Sequence, residues 1–443
     1  MTPPVPRPRS GDGRTAAQVI RSLAPSIYAP SFLEFAGMAA LMPMVPLLAL
    51  DLGFSQSSAA ALTVIFGIAA FAGPIPAGRV LTLLGARLAL VGTGALMILA
   101  SLVAFAVIEP GAAAEPARHQ QLVLVGLLVV IAACSQVWHL GRQSYLGTAL
   151  PPTMRARGMT LYGGTIRLGE VVGPLLGAVV IAMISSTAVF VLFAVMVGAA
   201  TVMITVFLPP GETRAAVPPR PRRGMRSEAR IRLDRAVLGR MIAVGAGITP
   251  VMMARVNRPV IVPLLGAHLG LDPAWISLVF GVSAALEILL VLPAGTLMDR
   301  FGRAAVAVPC ALLMGAGFVL LAVLGTTLDG HGRTAALIAL LVPSLLIALG
   351  NGMGSGIVMT LGVDVTPVHG RTGYLAWWNT MLGAGRLVAP LLVTGVTLVA
   401  PVAVAGAVTG GLCLVGGSWL LRALPRYTPA GTGRRGRGGA TAR

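Results

Sequence analysis

Apolar residues along the chain fall into long runs that short polar stretches separate. Each run has about 20 residues or more, the length that a helix needs to cross the ~30 Å hydrocarbon core of a bilayer. The alternating pattern of a membrane β-barrel, about ten residues per strand, is not seen. The pattern therefore predicts an all-α membrane protein with twelve transmembrane helices, at residues 27–50, 59–77, 88–108, 122–146, 159–184, 187–208, 241–265, 275–298, 304–324, 337–363, 374–400 and 402–421.

Composition agrees with a membrane protein, because 56% of the residues are apolar and only 11% are charged. A soluble protein usually carries about 25% charged residues. The three cysteines, Cys134, Cys310 and Cys413, each lie inside an apolar run, so we expect packing residues and no disulfide or metal framework. The first 24 residues are rich in proline and arginine and lack an apolar core, so no cleavable signal peptide is expected.

The arginines are divided unequally between the two sides of the predicted membrane. When the loops alternate sides, 26 of the 33 basic residues share a side with both termini, and only Arg118 and Arg333 lie on the other. Cytoplasmic loops retain positive charge, so we expect both termini in the cytoplasm and the protein in the plasma (inner) membrane. The net charge of +19 follows this topology, which argues against nucleic-acid binding and favours contact with anionic lipid headgroups.

A stretch rich in proline and arginine divides the chain into two halves. It predicts a cytoplasmic tail at 1–24, a six-helix bundle at 25–208, a cytoplasmic basic linker at 209–236, a second six-helix bundle at 237–424 and a cytoplasmic tail at 425–443. The halves resemble each other, since Gly53 and Gly85 recur 217 residues later as Gly270 and Gly302. Two such bundles, related by an axis along the membrane normal, can rock about a central site.

The loop between predicted spans 8 and 9 carries the pattern G-x-L-x-D-R-x-G-R. Its glycines permit a tight turn, and its acidic residue at a helix end can pair with an arginine. The pattern resembles the loop signature of the major facilitator superfamily, which implies a role in gating for Gly295, Asp299, Arg300, Gly302 and Arg303. The corresponding first-half loop has Thr82 and Leu83 at the charged positions, so a charge latch is in doubt there.

Predicted span 5 carries a glycine stripe with a proline. Gly169, Gly173 and Gly177 stand at i, i+4 and i+8, which lets a partner helix pack closely, and Pro174 can bend the helix. The stretch resembles the G-x-x-x-G-P-x-x-G-G signature of proton-exchanging exporters in the superfamily, with Ala178 in the last position. This resemblance implies a gating role for the four residues; an ordinary packing stripe is the alternative.

Eight ionisable residues lie inside predicted spans. A charge at the bilayer centre costs on the order of 2.5–3.5 kcal/mol, so these residues must face a cavity or each other. We expect a Glu34–Arg142 pair from their depth and an Arg167–Glu170 pair from their i, i+3 spacing. The candidates for proton coupling are Glu34, Glu170 and Glu287, and those for substrate binding are Arg142, Arg167, Arg255, Asn257, Arg258 and Arg386.

Two readings of these charges stay open. Each glutamate is either a proton carrier or a member of a structural ion pair. The adjacent tryptophans of span 11, Trp377 and Trp378, either stack on substrate or, as we expect, anchor the helix at the membrane interface.

The sequence shows no nucleotide-binding loop, no metalloprotease motif and no Cys/His cluster, so we expect neither an enzyme nor a cofactor. The family resemblance implies a secondary transporter that works by alternating access. We expect a monomeric, proton-coupled antiporter for efflux of an organic small molecule, such as a drug or secondary metabolite. The excess of arginine over glutamate inside the spans favours an alternative, a carrier of an anionic or zwitterionic metabolite or lipid. A non-transporting receptor would leave the costly intramembrane charges without a purpose.

Overall fold

The structure is a computed structural model that describes residues 22–109, 118–150, 155–208, 234–354, 356–367 and 371–427. Within these residues the regular structure is entirely helical. Ten helices are long and apolar enough to cross a membrane, and two bent pairs bring the number of spans to twelve. The predicted all-α fold with two six-helix bundles is confirmed. The predicted tails and linker lie largely outside the described residues.

Two of the six spans of the first half are bent. Span 1 bends by 40° after Leu41, and span 2 bends by 61° at Gly73, where Pro74 begins a new helix. Proline lacks the backbone donor that would continue the preceding helix. The helices of this half are Ala24–Leu41 and Met44–Asp51 (span 1), Gln56–Ala72 and Pro74–Leu84 (span 2), Ala86–Ile108 (span 3), Arg118–Ala149 (span 4), Arg155–Met183 (span 5) and Ala188–Phe207 (span 6).

The second half is built from longer helices, and its span 8 is continuous where the corresponding span 2 is bent. Span 7 starts earlier than the apolar run predicted, because the Asp234 side chain accepts a hydrogen bond from the backbone N–H of Ala236 and caps the helix. The helices are Arg235–His268 (span 7), Pro273–Phe301 (span 8), Ala304–Thr327 (span 9), Arg333–Met353 with Ile357–Val365 (span 10), Arg371–Thr397 (span 11) and Val402–Tyr427 (span 12).

The internal repeat is visible in the backbone. Gly53 has φ of 78° and its counterpart Gly270 has 72°, while Gly85 has 78° and its counterpart Gly302 has 90°. Side chains rarely tolerate this region of φ, whereas glycine adopts it readily. The two halves therefore form the same turns at positions 217 residues apart.

The halves meet along three pairs of spans, which are 1 with 7, 2 with 11 and 5 with 8. Gly281 of span 8 lies against Leu175 of span 5, and Gly67 of span 2 lies against the backbone of Leu387 in span 11. We call the face at which span 6 ends and span 7 begins the linker face. At that face the second helix of span 2 packs on spans 3 and 4 of its own half.

Candidate substrate cavity and charge cluster

Two adjoining cavities lie between the halves. The larger has a volume of about 660 Å³ and is lined by spans 2, 4, 5, 7, 10 and 11, largely by the parts of these spans nearer the linker face. The smaller has a volume of about 380 Å³ and is lined by spans 1, 5, 7, 8 and 10. Arg167 and Arg255 line both cavities. The spans that carry intramembrane charge therefore surround one central region, as expected.

The larger cavity is basic, because Arg167, Arg255 and Arg386 line it and none of its described lining residues is acidic. Arg255 donates to the carbonyl oxygen of Gly354 at 2.9 Å and pairs with no carboxylate among the described residues. Arg386 has neither an ion pair nor a hydrogen bond with any described side chain. Guanidinium groups left free in this way can bind a carboxylate or phosphate in bidentate geometry.

Glu287 is the centre of the smaller cavity. Its carboxylate pairs with Arg258, accepts a hydrogen bond from the Asn351 amide at 2.6 Å and lies 3.8 Å from Arg167. Arg258 in turn lies over the ring of Phe280, 5.4 Å from its centroid. One carboxylate thus holds groups from spans 5, 7 and 10, and the contact with Arg167 joins the two halves.

Glu170 shares Arg167 with Glu287. The Arg167–Glu170 ion pair measures 3.0 Å, which confirms the pair predicted from their spacing. The Glu170 side chain is 42% exposed and lines the smaller cavity, so it is the most accessible of the three intramembrane glutamates. Two carboxylates therefore compete for one guanidinium group at the boundary between the halves.

The Glu34–Arg142 pair is confirmed, but it lies apart from both cavities. The Nη2 of Arg142 is 2.6 Å from Glu34, and the two side chains are 0% and 3% exposed. Arg142 also donates to the carbonyl oxygens of Trp138 and Pro30, and the rings of Trp138 and Phe35 lie 5.1 and 5.6 Å from its guanidinium carbon. This fully bonded pair cements spans 1 and 4, and neither residue is placed to meet substrate.

Two further expectations about the cavity need correction. Asn257 is fully buried and donates to the hydroxyl of Thr409 in span 12 at 3.1 Å, because it points to the other side of its helix from Arg258 and Arg255. Trp378 is 2% exposed, donates to the Val358 carbonyl oxygen and lines the larger cavity, so only Trp377, at 55% exposed, fits the predicted interface anchor.

The glycine stripe of span 5 packs against span 1, as predicted. A Cβ atom on Gly169 would lie 2.9 Å from the backbone nitrogen of Ala36, and one on Gly173 would lie 2.1 Å from the carbonyl oxygen of Ala36. At Gly177 the corresponding distance to the Ala40 Cβ is 3.4 Å. Pro174 lines the smaller cavity, and the helix continues through it without a break.

The loop motif forms the turn that its glycines predict. Gly302 ends span 8, and Arg303 forms a 2.8 Å ion pair with Asp364 at the linker-face end of span 10. Arg300 is exposed and stacks on Phe301, with 5.3 Å between its guanidinium carbon and the ring centroid. Gly295 and Asp299 lie on span 8, but their side-chain environment falls outside the described residues.

Sequence reasoning missed five uncharged polar residues that the cavities contain. They are His139, Gln143, Asn379 and Thr380 in the larger cavity and Asn351 in the smaller one. His139 and Gln143 are hydrogen-bonded to each other at 3.1 Å and stand four residues apart on span 4. Pairs of polar residues at helical spacing inside an apolar run were the available signal, and a search restricted to charges did not use it.

The sequence matches the model of the Major Facilitator Superfamily twice, over residues 29–254 and 244–442. No curated protein gives a significant match. Among solved structures, the peptide transporter POT in complex with alafosfalin, as a point variant, has a TM-score of 0.71 at 16% identity and covers 94% of this chain and 99% of its own. A POT family transporter in complex with 5-aminolevulinic acid has 0.68 at 12%, covering 92% and 97%. A bacterial homologue of the iron transporter ferroportin, in an inward-facing state, has 0.67 at 16%, covering 93% and 99%.

The structural likenesses show the fold, and the double sequence match covers nearly the whole chain, one match to each half. Together with the intramembrane charges around a central cavity, they make this chain a multi-pass membrane transporter and not an enzyme. The chain belongs to the major facilitator superfamily.

Proposed function

We propose that the chain is a proton-coupled exporter of an organic small molecule, a drug or secondary metabolite that carries an acidic group. One observation carries the proposal, which is the separation of charge between the two cavities. Three arginines and no described carboxylate line the larger cavity, while Glu170 and Glu287 line the smaller one. The first compartment suits an anionic group, and the second suits a proton.

The larger cavity has groups for both parts of such a molecule. Arg386 and Arg255 lack carboxylate partners among the described residues, so an incoming acid would neutralise charges that are costly at this depth. Phe71, Met252 and Trp378 line the same cavity and provide apolar and aromatic surface for an organic body. The fold neighbours bound to 5-aminolevulinic acid and alafosfalin fit a small-molecule cargo of this size class.

Proton coupling follows from the competition for Arg167. When Glu287 takes up a proton, its ion pairs to Arg258 and Arg167 weaken, and the link between spans 5 and 8 weakens with them. Arg167 is then free for Glu170 or for the substrate in the larger cavity. Protonation thereby favours separation of the halves, which is the step that alternating access requires.

Export is the direction that we propose, because span 5 resembles the glycine–proline signature of proton-exchanging exporters. The distribution of arginines supports an orientation in the plasma membrane with both termini cytoplasmic. We further propose that the protein acts as a monomer whose basic loops contact anionic lipid headgroups.

The test is transport by purified protein in proteoliposomes with an imposed pH gradient. The probe is naphthalene-1-sulfonate, an aromatic acid that stays charged, and naphthalene-1-sulfonamide is its neutral analogue. We expect the sulfonate to move together with protons and the sulfonamide to move at least tenfold more slowly. Arg386→Ala should raise the apparent KM for the sulfonate about tenfold, since a hydrogen bond to a charged group contributes about 1.5–3 kcal/mol. Arg426→Ala, at the end of span 12, is the matched control. Equal rates for both probes, together with a normal KM in Arg386→Ala, would contradict the acidic cargo.

A second candidate is a carrier of an anionic or zwitterionic metabolite or lipid that needs no proton. The excess of unpaired arginine in the larger cavity favours it. It predicts transport of the sulfonate that ignores the pH gradient and survives Glu170→Gln and Glu287→Gln. Loss of pH dependence in these variants would instead support the proton-coupled exporter.

A further inference from the structure

A column of buried polar side chains extends from Glu287 through the second half, away from the linker face. Ser283 stands four residues before Glu287 on span 8, and Ser344 stands seven residues before Asn351 on span 10. These spacings place each serine on the helix face of its partner. Asn351 donates to Glu287, so the two polar faces meet in the interior of the bundle.

Three atoms of this column have no hydrogen-bond partner among the described residues. They are the hydroxyl oxygens of Ser283 and Ser344 and the Oδ1 of Asn351, and all three residues are more than nine-tenths buried. Other buried hydroxyls in this protein behave differently. Ser101 and Thr366, for example, each donate to the carbonyl oxygen four residues back at 2.8 Å. Buried polar atoms without protein partners, aimed at one another, are the lining that ordered water occupies.

The column leads toward a cavity at the opposite face. At about 1.5 Å per residue, Ser283 lies about 6 Å and Ser344 about 10 Å along the helices from the Glu287–Asn351 contact. Beyond Ser344, Leu340 and Ile276 meet near Gly266 in one apolar layer. Past that layer, Ala336 of span 10 lines a surface cavity of about 550 Å³.

The mouth of that surface cavity is rich in groups that exchange protons. His268 lies 3.6 Å from Asp329, and Asp272 pairs with Arg333 at 2.7 Å. His331 adds a second imidazole next to the backbone of Asp329. At the inner end, the charged groups that face Glu287 are Arg258, Arg167 and, across Arg167, Glu170.

We propose that this column is a water-lined proton path that joins the surface cavity at the opposite face to Glu287. The inference rests on the proton coupling proposed above and names its route. Protons reach Glu287 from the face opposite the linker while the larger cavity lies toward the linker face. Proton and substrate therefore approach the central charges by separate paths.

The test is the reaction of cysteines placed in the column with a membrane-impermeant thiol reagent. In a background with Cys134→Ala, Cys310→Ala and Cys413→Ala, Ser344→Cys and Ser283→Cys are made singly in oriented proteoliposomes. The probe is trimethylammonioethyl methanethiosulfonate, added at one face and followed by intact mass. Ser135→Cys is the matched control, since Ser135 is another unpartnered hydroxyl but belongs to span 4 of the first half.

We expect Ser344→Cys to react from the opposite face at least tenfold faster than Ser135→Cys, with Ser283→Cys slower because it lies deeper. The reacted Ser344→Cys protein should lose at least fivefold in pH-driven sulfonate transport while keeping sulfonate exchange without a gradient. Reaction no faster than in Ser135→Cys, or reaction from the linker face alone, would overturn the path even if transport is proton-coupled. Absence of pH-dependent transport in the unsubstituted protein would overturn the proposed function, and the path's proton role with it. Neutral methyl methanethiosulfonate provides a second measurement if the charged reagent is excluded by size.

Discussion

The two sets of buried ion pairs contain the same kinds of residue in opposite settings. Glu34 and Arg142 are sealed within the first half, and both side chains are nearly inaccessible. Glu287 and its arginines stand between the halves and line a cavity. A charge that is bonded on every side stabilises one arrangement of helices, whereas a charge shared among spans that separate can take part in a cycle.

Partner number expresses the same contrast. Arg142 makes its hydrogen bonds within the first half, to groups of spans 1 and 4. Glu287, by comparison, is held by Arg258 and Asn351 of its own half and by the more distant Arg167 of the other. When the halves move relative to each other, the first set of bonds is unaffected and the second must change.

The largest effect is expected at the sealed pair. Arg142→Ala leaves the Glu34 carboxylate buried without a counter-charge, and breaking a buried pair in this way costs about 3–5 kcal/mol. Thermal unfolding in detergent, followed by tryptophan fluorescence, should show a marked fall in melting temperature. The double variant Arg142→Gln with Glu34→Gln removes both charges and should recover much of the loss. An unchanged melting temperature in Arg142→Ala would mean that this pair does not hold the first half together.

The next effect is expected at the shared carboxylate, in transport and not in stability. Glu287→Gln keeps the shape of the side chain and can still accept the hydrogen bond from Asn351, but it cannot take up a proton. Sulfonate transport should lose its response to a tenfold proton gradient, while the melting temperature stays close to that of the unsubstituted protein. Glu34→Gln should show the reverse pattern. If both variants keep full pH dependence, neither carboxylate couples transport to protons.

A smaller effect is expected where spans 1 and 5 touch, since this contact positions both charge sets. Gly173→Ala places a Cβ atom against the Ala36 carbonyl oxygen and should cost about 1–3 kcal/mol through overpacking. Gly177→Ala, in the same stripe, has room at ordinary contact distance and should be nearly neutral. Melting temperatures of the two variants give the comparison. Equal losses at both positions would show that the close approach at Gly173 is not rigid.

The smallest effect is expected at the linker-face pair of Arg303 and Asp364. Both side chains are partly exposed, so Asp364→Asn should cost less than about 1 kcal/mol. A double-mutant cycle with Arg303→Gln, read as melting temperature at low and high salt, measures the coupling between the two. Raised salt should reduce that coupling. A coupling energy as large as that of Glu34 and Arg142 would contradict the view that burial separates the two kinds of pair.

The sequence was sufficient for those features that depend on position along a helix. Apolar runs set the spans, i, i+3 spacing placed Arg167 beside Glu170, and estimated depth brought Glu34 to Arg142. It was insufficient for the rotation of each helix about its axis. Asn257 follows Arg255 by two residues and therefore faces span 12 instead of the cavity.

The cavity itself was the harder inference. Depth alone does not show that Glu34 turns into its own half while Glu287 turns toward the boundary. The bend at Gly73 was also missed, because the apolar run continues through Pro74 and hydropathy does not register a change of helix direction. Uncharged polar residues such as His139 and Asn351 carry little weight in a count of charges, yet they complete the two cavities.

The matching glycine turns give this chain an internal control. Gly53 with Gly270, and Gly85 with Gly302, fix the same backbone geometry in both halves, so each residue has a counterpart that can be identified by number. Where counterparts agree, the shared feature belongs to the construction of a six-helix unit. Where they differ, as Glu170 differs from Arg386 one repeat later, the difference marks specialisation after duplication. Exchanging such counterpart residues between the halves can therefore separate what builds the scaffold from what selects its cargo.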